Sequence, residues 1–398
     1  MRILVCFCLS LLIISQGCTK ITTPDNGIFG DFNEAAKVRK LLEKNDERFM
    51  PAYKKLISDA GRAMNEGPFS VMQKKRTAAS GDMHDYLSMG TYWWPDTTRP
   101  DGLPYIRRDG NVNPETEGEY VDAEKKNSMM SNVETLAWAY FFSGEEKYAA
   151  KAVQLIKTWF TDSATMMNPN LNYAQAIPGV CDGRGIGIID LHRINKLIAP
   201  LQILQANDKI DAVTREKLHE WFDEYLNWLL TSPNGIDEED EKNNHGTWYD
   251  VQVCGIALYL GKNDIAKARL ENATLKRIDS QIEADGSQPK ELARTRSLSY
   301  SSMNLRAFLN LSIIGKLAGV DILNYTTPDG KSIMKAADYL LPYANGSGKW
   351  NGDQITSMDE AIESLKPDFR IVYALTRDKK YDLPGQGDDL ETLLFPGI

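Results

Sequence analysis

Apolar residues recur three and four positions apart through most of this chain, and short polar turns separate the runs. Val133, Leu136, Ala137 and Tyr140 form one stripe along 131–142. Ala150, Val153, Ile156 and Trp159 form another along 147–160. This is the spacing of a helix with one buried face. It predicts further helices over 35–64, 188–204, 213–230, 251–260, 264–282, 298–318, 333–343 and 358–375. Turns such as Ser143-Gly144-Glu145-Glu146 and Gly261-Lys262-Asn263 pair neighbours into hairpins. Segments with strand alternation are few and short. The hairpins share no sequence repeat, which argues against a regular solenoid. The expected fold is all-α: an α/α toroid, an incomplete barrel of helical hairpins, forming one domain over 31–398. Two stretches break the helical pattern, 77–126 (rich in Gly, Pro, Trp and Tyr) and 166–187 (rich in Asn, Pro and Gly). Loops that long inside a compact domain often carry function, and here they are expected to form a cleft.

The N-terminus has a different pattern. Arg2 precedes an apolar run from Ile3 to Ile14, and Ser15 and Gly17 lead to Cys18. The run is too short for a stable bilayer span, so it predicts a cleaved export leader over 1–17. Gly-Cys at that place resembles a lipoprotein processing site. The expectation is a periplasmic or outer-membrane lipoprotein of a Gram-negative bacterium, touching membrane only through lipid on Cys18. Ser15 and Gln16 depart from the usual pattern, so simple secretion is the alternative. Residues 18–30 read as a polar tether. Cys6 and Cys8 leave with the leader. Cys181 and Cys254 are expected as free thiols, with a disulfide between them as the alternative.

Composition narrows the partners. The 398 residues are 42% hydrophobic, enough for a large core. A net charge of −9 excludes non-specific nucleic-acid binding. An anionic polymer would therefore need a local basic cleft.

Three clusters can carry chemistry. The first joins Asn243-Asn244-His245-Gly246-Thr247-Trp248 with Arg294-Thr295-Arg296-Ser297-Leu298-Ser299-Tyr300. These groups suit proton abstraction next to a carboxylate. Asn244, His245 and an arginine, Arg294 or Arg296, can neutralise the carboxylate and stabilise an enolate-like transition state. Tyr300, brought below its ordinary value of about 10 by a nearby arginine, can take the proton and return one to the leaving oxygen. Where the two positions lie on opposite sugar faces, His245 would be the base and Tyr300 the acid. The second cluster, Tyr92-Trp93-Trp94-Pro95-Asp96, offers rings that stack on sugars. Nearby Asp82, His84 and Asp85 lack a second ligand pair for a metal. The third offers Asn172, Tyr173, Gln175 and Arg184 as hydrogen-bonding groups, with His192 and Arg193 on the next helix. Its Gly183/Gly185 spacing is no nucleotide fingerprint, because no strand precedes it and no P-loop lysine follows.

Asn172-Tyr173-Ala174-Gln175 with Pro178-Gly179, Asn243-Asn244-His245 with Trp248, and Arg296-Ser297-Leu298-Ser299-Tyr300 together resemble the alginate lyase superfamily of α/α toroids. The Asn-Asn-His and Arg…Tyr motifs are similar to polysaccharide lyase family 5. The Trp-Trp-Pro-Asp segment and the leader look closer to family 38. The resemblance covers about residues 75 to 375. It implies Asn244, His245 and an arginine on the carboxylate, Tyr300 as catalytic acid and base, and substrate contacts from the second and third clusters and Trp248. Two positions depart from family 5: Ala293 stands where its arginine is expected, and Ser299 replaces a usual histidine.

The expected activity is β-elimination on a 1,4-linked polyuronate, an anionic polysaccharide, with mannuronate-rich alginate first and glucuronan next. No cofactor is required. One rival is a glycoside hydrolase using two of Asp82, Asp85, Asp182 and Asp250. The other is a non-catalytic glycan-binding lipoprotein that keeps Tyr92, Trp93 and Trp94.

Overall fold

The computed structural model describes residues 21–383 and 387–398. The leader and Cys18 lie outside the described residues. The helices are α1 (Phe32–Leu42), α2 (Met50–Ala63), α3 (Ala123–Ser143), α4 (Glu146–Phe160), α5 (Asn195–Ala206), α6 (Ala212–Thr231), α7 (Pro233–Glu239) and α8 (Asn244–Tyr259). They continue as α9 (Asn263–Arg269), α10 (Leu275–Gln281), α11 (Pro289–Leu292), α12 (Ser297–Ala318), α13 (Ile333–Ala344), α14 (Met358–Glu363), α15 (Leu365–Thr376) and α16 (Leu390–Leu394).

The architecture is an α/α toroid. Helices α3, α5, α8, α12 and α15 pack in succession, α16 reaches α1 and α2, and α2 packs on α3, so the first and last described helices meet. The inner helices explain their own sequences. In α8 every residue from Gly246 to Ala257 is buried, and in α12 Leu305, Phe308, Leu309, Leu311 and Ile314 are fully buried. A helix buried on all sides belongs inside a ring of others. Helix α4 is an outer helix with one buried stripe. That stripe is Tyr148, Ala149, Ala152, Leu155, Ile156 and Trp159, displaced from the predicted one: Ala150 is exposed.

Other expectations change in the same way. The predicted helix over 35–64 is two helices, broken where Asn45 adopts a left-handed φ of 57° and Asp46 takes the Arg48 amide. Residues 21–30, expected as a tether, lie on the body. Ile21, Ile28 and Phe29 are buried in the core, and Thr22 exchanges two hydrogen bonds with Asn207. Cys181 and Cys254 are free thiols.

The 77–122 excursion carries three short strands, β1 (Leu87–Met89), β2 (Trp93–Trp94) and β3 (Ile106–Arg107); β4 (Tyr173–Ala176) follows in the second loop. β1 pairs in parallel with β4, and β2 pairs antiparallel with β3. The ends of the excursion meet at a buried ion pair, Lys74–Asp122 (3.2 Å), and Asp122 also accepts the Leu87 amide.

Asp250, a carboxylate considered for hydrolysis, is a fully buried residue of α8. It accepts from Arg269 Nε (2.7 Å), Arg277 Nε (2.8 Å) and Thr274 Oγ1 (2.8 Å). Removing one member of a buried ionic network leaves the others unpaired. Asp250→Ala is therefore expected to lower unfolding free energy by about 3–5 kcal/mol. Urea denaturation checks this, and a midpoint equal to wild type would contradict it.

Candidate active site

The first turns of α3, α8 and α12 open into one cleft of about 550 Å³. Helix N-termini carry the positive end of the backbone dipole. The inner ring thus directs positive potential into one cleft of an acidic protein. A second cavity, about 650 Å³, lies between Phe32, Gly315, Arg377 and Phe395, where the first and last described helices meet, and shares no lining residue with the cleft.

Asn243 caps α8 by accepting the His245 amide (2.9 Å). Asn244 and His245 therefore occupy the first turn, at the cleft wall. Gly246 makes this possible: a Cβ there would overlap the Glu241 carbonyl and the Arg277 guanidinium. Two buried carboxylates hold the pair from behind. Glu291 on α11 accepts the Asn244 backbone amide (2.7 Å) and Nδ2 (2.8 Å). Glu238 on α7 lies 3.0 Å from His245 Nδ1. Burial disfavours a charged imidazole, but Glu238 outweighs it and holds His245 above its ordinary value.

Tyr300 sits in the first turn of α12. Its hydroxyl is 2.7 Å from the Tyr92 hydroxyl and accepts from Arg294 Nη2 at 3.0 Å. The Arg294 guanidinium carbon is 3.9 Å from the ring centroid. The sequence argument expected this arginine to bring the phenol below its ordinary value. In the structure the result is opposite: burial and Tyr92 raise Tyr300, and Arg294 only opposes them.

The two arginines differ. Arg294 Nε and Nη2 donate to Asp109 at 3.2 and 2.9 Å, and Thr295 donates to the same carboxylate. Burial alone would raise Asp109, but Arg294, with Arg107 and Thr295, holds it well below the carboxylate range. Arg296 donates to the Gly110 carbonyl and lies over the Tyr92 ring, and its buried Nε has no partner among the described residues. The excursion is thus fastened to the Arg294–Tyr300 segment through Tyr92, Asp109 and Gly110.

Tyr92, Trp93, Gln175, Arg184, Asn244, His245, Arg294, Arg296 and Tyr300 all line the cleft. Four other proposed contacts stand outside its lining. Trp248 is a core residue, edge-on to His192 at 4.9 Å, so it supports a cleft residue instead of touching a ligand. Trp94 donates to the Asn111 carbonyl beneath Arg108, and Asn172 accepts from Trp228. Tyr173 packs on the Leu87, Met89 and Val121 cluster. The remaining carboxylates considered for hydrolysis, Asp82, Asp85 and Asp182, do not line the cleft either. Asp82 and Asp85 both accept from Asn168.

A family model described as alginate lyase matches residues 70–350. The chain belongs to the alginate lyase family. A crystal structure of an alginate lyase from Bacteroides ovatus is similar over 94% of this chain and 99% of that one, with 38% identity and a TM-score of 0.88. Alginate lyase A1-III from Sphingomonas species A1 shares the fold at 14% identity, covering 87% of this chain and 96% of its own, with a TM-score of 0.52. A histidine-to-alanine variant of A1-III complexed with a tetrasaccharide gives 14% identity, 87% and 95% coverage and a TM-score of 0.53. No curated protein matches. The protein is a polysaccharide lyase.

In this lyase Glu238, Glu291, Asp109 and Lys126 were not singled out from sequence. For Glu238 a signal existed: Ser232-Pro233-Asn234-Gly235 opens α7 with a serine cap and a first-turn proline. Asp109 has a direct test. Asp109→Asn removes the charge that orients Arg294, and is expected to lower kcat/KM about ten- to a hundred-fold, the range of a lost charge-assisted hydrogen bond. Steady-state kinetics check this; a change under two-fold would remove Asp109 from the site.

Proposed function

We propose that the lyase cleaves a 1,4-linked polyuronate by β-elimination, with mannuronate-rich alginate as first substrate and glucuronan next. The observation that carries this reading is the Tyr300 hydroxyl, held against Arg294 in a cleft that also presents Asn244 and His245. The alginate lyase from Bacteroides ovatus and the tetrasaccharide bound to the A1-III variant support a uronate glycan.

The chemistry follows from the groups. The C5 proton lies beside the C6 carboxylate, and its removal puts further negative charge there. Imidazolium His245 offers Nε2–H, Asn244 the amide hydrogen not given to Glu291, and Arg296 a guanidinium at the cleft wall. Donors placed on developing charge are each worth about 3 kcal/mol. Tyr300 as tyrosinate takes the C5 proton. The C5 electron pair forms the C4=C5 bond, the bond to O4 breaks, and Tyr300 returns the proton to O4. A single residue suffices where both positions share a sugar face, as in mannuronate. Arg294 compensates the tyrosinate charge.

The test is ultraviolet absorbance of unsaturated uronate with polymannuronate, polyguluronate, glucuronan, hyaluronan and pectate. Absorbance rising first with polymannuronate is expected. New reducing ends without absorbance would overturn elimination. Export and lipidation at Cys18 belong to the same proposal, supported by the leader sequence. Cys18→Ser should then move the protein from the membrane fraction to the soluble one, and unchanged fractionation would oppose it.

A further inference from the structure

The cleft holds more positive charge than its catalytic groups require. Lys126, in the first turn of α3, is only 4% exposed, and its Nζ donates to the Asp190 carbonyl. Arg184 Nη2 donates to Gln175 Oε1 (2.8 Å), its buried Nε has no partner among the described residues, and its guanidinium lies 5.8 Å from the centre of the Trp93 ring. Both cations spend their hydrogen bonds on neutral oxygens, and among the described residues no carboxylate forms an ion pair with either. Buried cations are ordinarily paired. Burial draws the Lys126 ammonium down to about 8, so it keeps its charge at neutral pH.

Gln175 gives a second, independent observation. It adopts φ 51°, a left-handed conformation uncommon outside glycine. Three hydrogen bonds hold it there: its N–H to Ser88 Oγ (2.7 Å), its Nε2 to Asp190 Oδ1 (3.2 Å), and its Oε1 from Arg184. Strain kept by surrounding contacts is a mark of a functional position. Tyr86 and Ser88 hold the other Asp190 oxygen. Two cations against the one Asp190 carboxylate leave a net single positive charge, apart from the His245–Tyr300 cluster.

We propose that Lys126 and Arg184 form a second carboxylate subsite, so that the lyase reads the charge of a uronate beside the one it cleaves. The inference rests on the polyuronate reading above. The subsite is what selects polymers charged on successive sugars over those in which uronate alternates with a neutral sugar.

The experiment compares an intact polyuronate with the same polymer half methyl-esterified, for wild type, Arg184→Gln and Lys126→Met. Esterification harms the catalytic sugar equally in all three enzymes. The added loss at the second subsite, about ten-fold for a charge-assisted contact, exists only in wild type. The intact-to-esterified ratio of kcat/KM is therefore expected to fall about ten-fold in each variant. An unchanged ratio in Arg184→Gln, with wild-type thermal melting, overturns the subsite, whether or not Lys126→Met folds. Absence of unsaturated product from wild type on every polyuronate overturns instead the reading beneath it.

Discussion

Tyr300→Phe is expected to lower turnover by about a thousand-fold or more while substrate still binds. General acid–base groups contribute about 10²–10⁴ each, and here one oxygen serves both steps. The change is narrow. Phenylalanine keeps the ring that Arg294 covers at 3.9 Å, so local packing is retained. What is lost is the hydroxyl, and with it the contacts to Tyr92 and Arg294. Two hydrogen bonds of ordinary net worth correspond to about 1–3 kcal/mol of stability, too little to unfold a domain of this size. Single-turnover kinetics with excess enzyme, beside equilibrium binding of an oligouronate, separate the effects. Turnover within ten-fold of wild type would remove Tyr300 from the proton path. Loss of binding in parallel with turnover would make it a substrate anchor.

The toroid was legible because its helices are patterned by what they face. Outer α4 shows one buried stripe and inner α8 is buried nearly all round, and both patterns follow from position in the ring. The break at Asn45 was hidden, since neither flank contains proline or glycine between Ala35 and Ala60 except Pro51, which α2 accommodates in its first turn. The site was legible where chemistry lies in short motifs: Asn244 and His245 share a turn, and Arg294 and Tyr300 lie six residues apart in sequence, close enough to meet across a helix start. What remained hidden was the supporting layer. Glu291 reaches Asn244 across 47 residues and Asp109 reaches Arg294 across 185, so no local pattern announces either pairing. Trp248 was misplaced for a related reason. Aromatic residues serve sugar platforms and cores equally well, and only the position of α8 in the inner ring decides between them.

Glu238→Gln is expected to change the pH dependence in a way that fixes the role of His245. Glu238 raises the imidazole above its ordinary value of about 6.5, so below that raised value His245 is a cation, and the charge is lost as pH rises through it. Burial raises Tyr300, so its tyrosinate fraction grows ten-fold per pH unit through neutrality. If imidazolium and tyrosinate are the active forms, kcat/KM climbs with pH until His245 deprotonates, then levels. Glutamine keeps an acceptor for Nδ1 but removes the charge, and burial then carries His245 downward. The wild-type and Glu238→Gln profiles should therefore superimpose on the acid limb. The variant should level at a lower pH, and about ten-fold lower in rate for each unit by which His245 falls. A neutral His245 acting as base predicts the reverse at low pH. More of the variant would then be in the active form, and it would outpace wild type on the acid limb. Initial rates on polymannuronate across the acid limb decide between the two. A faster variant there would reassign His245 from neutralising the carboxylate to removing the C5 proton, and leave Tyr300 as the acid alone.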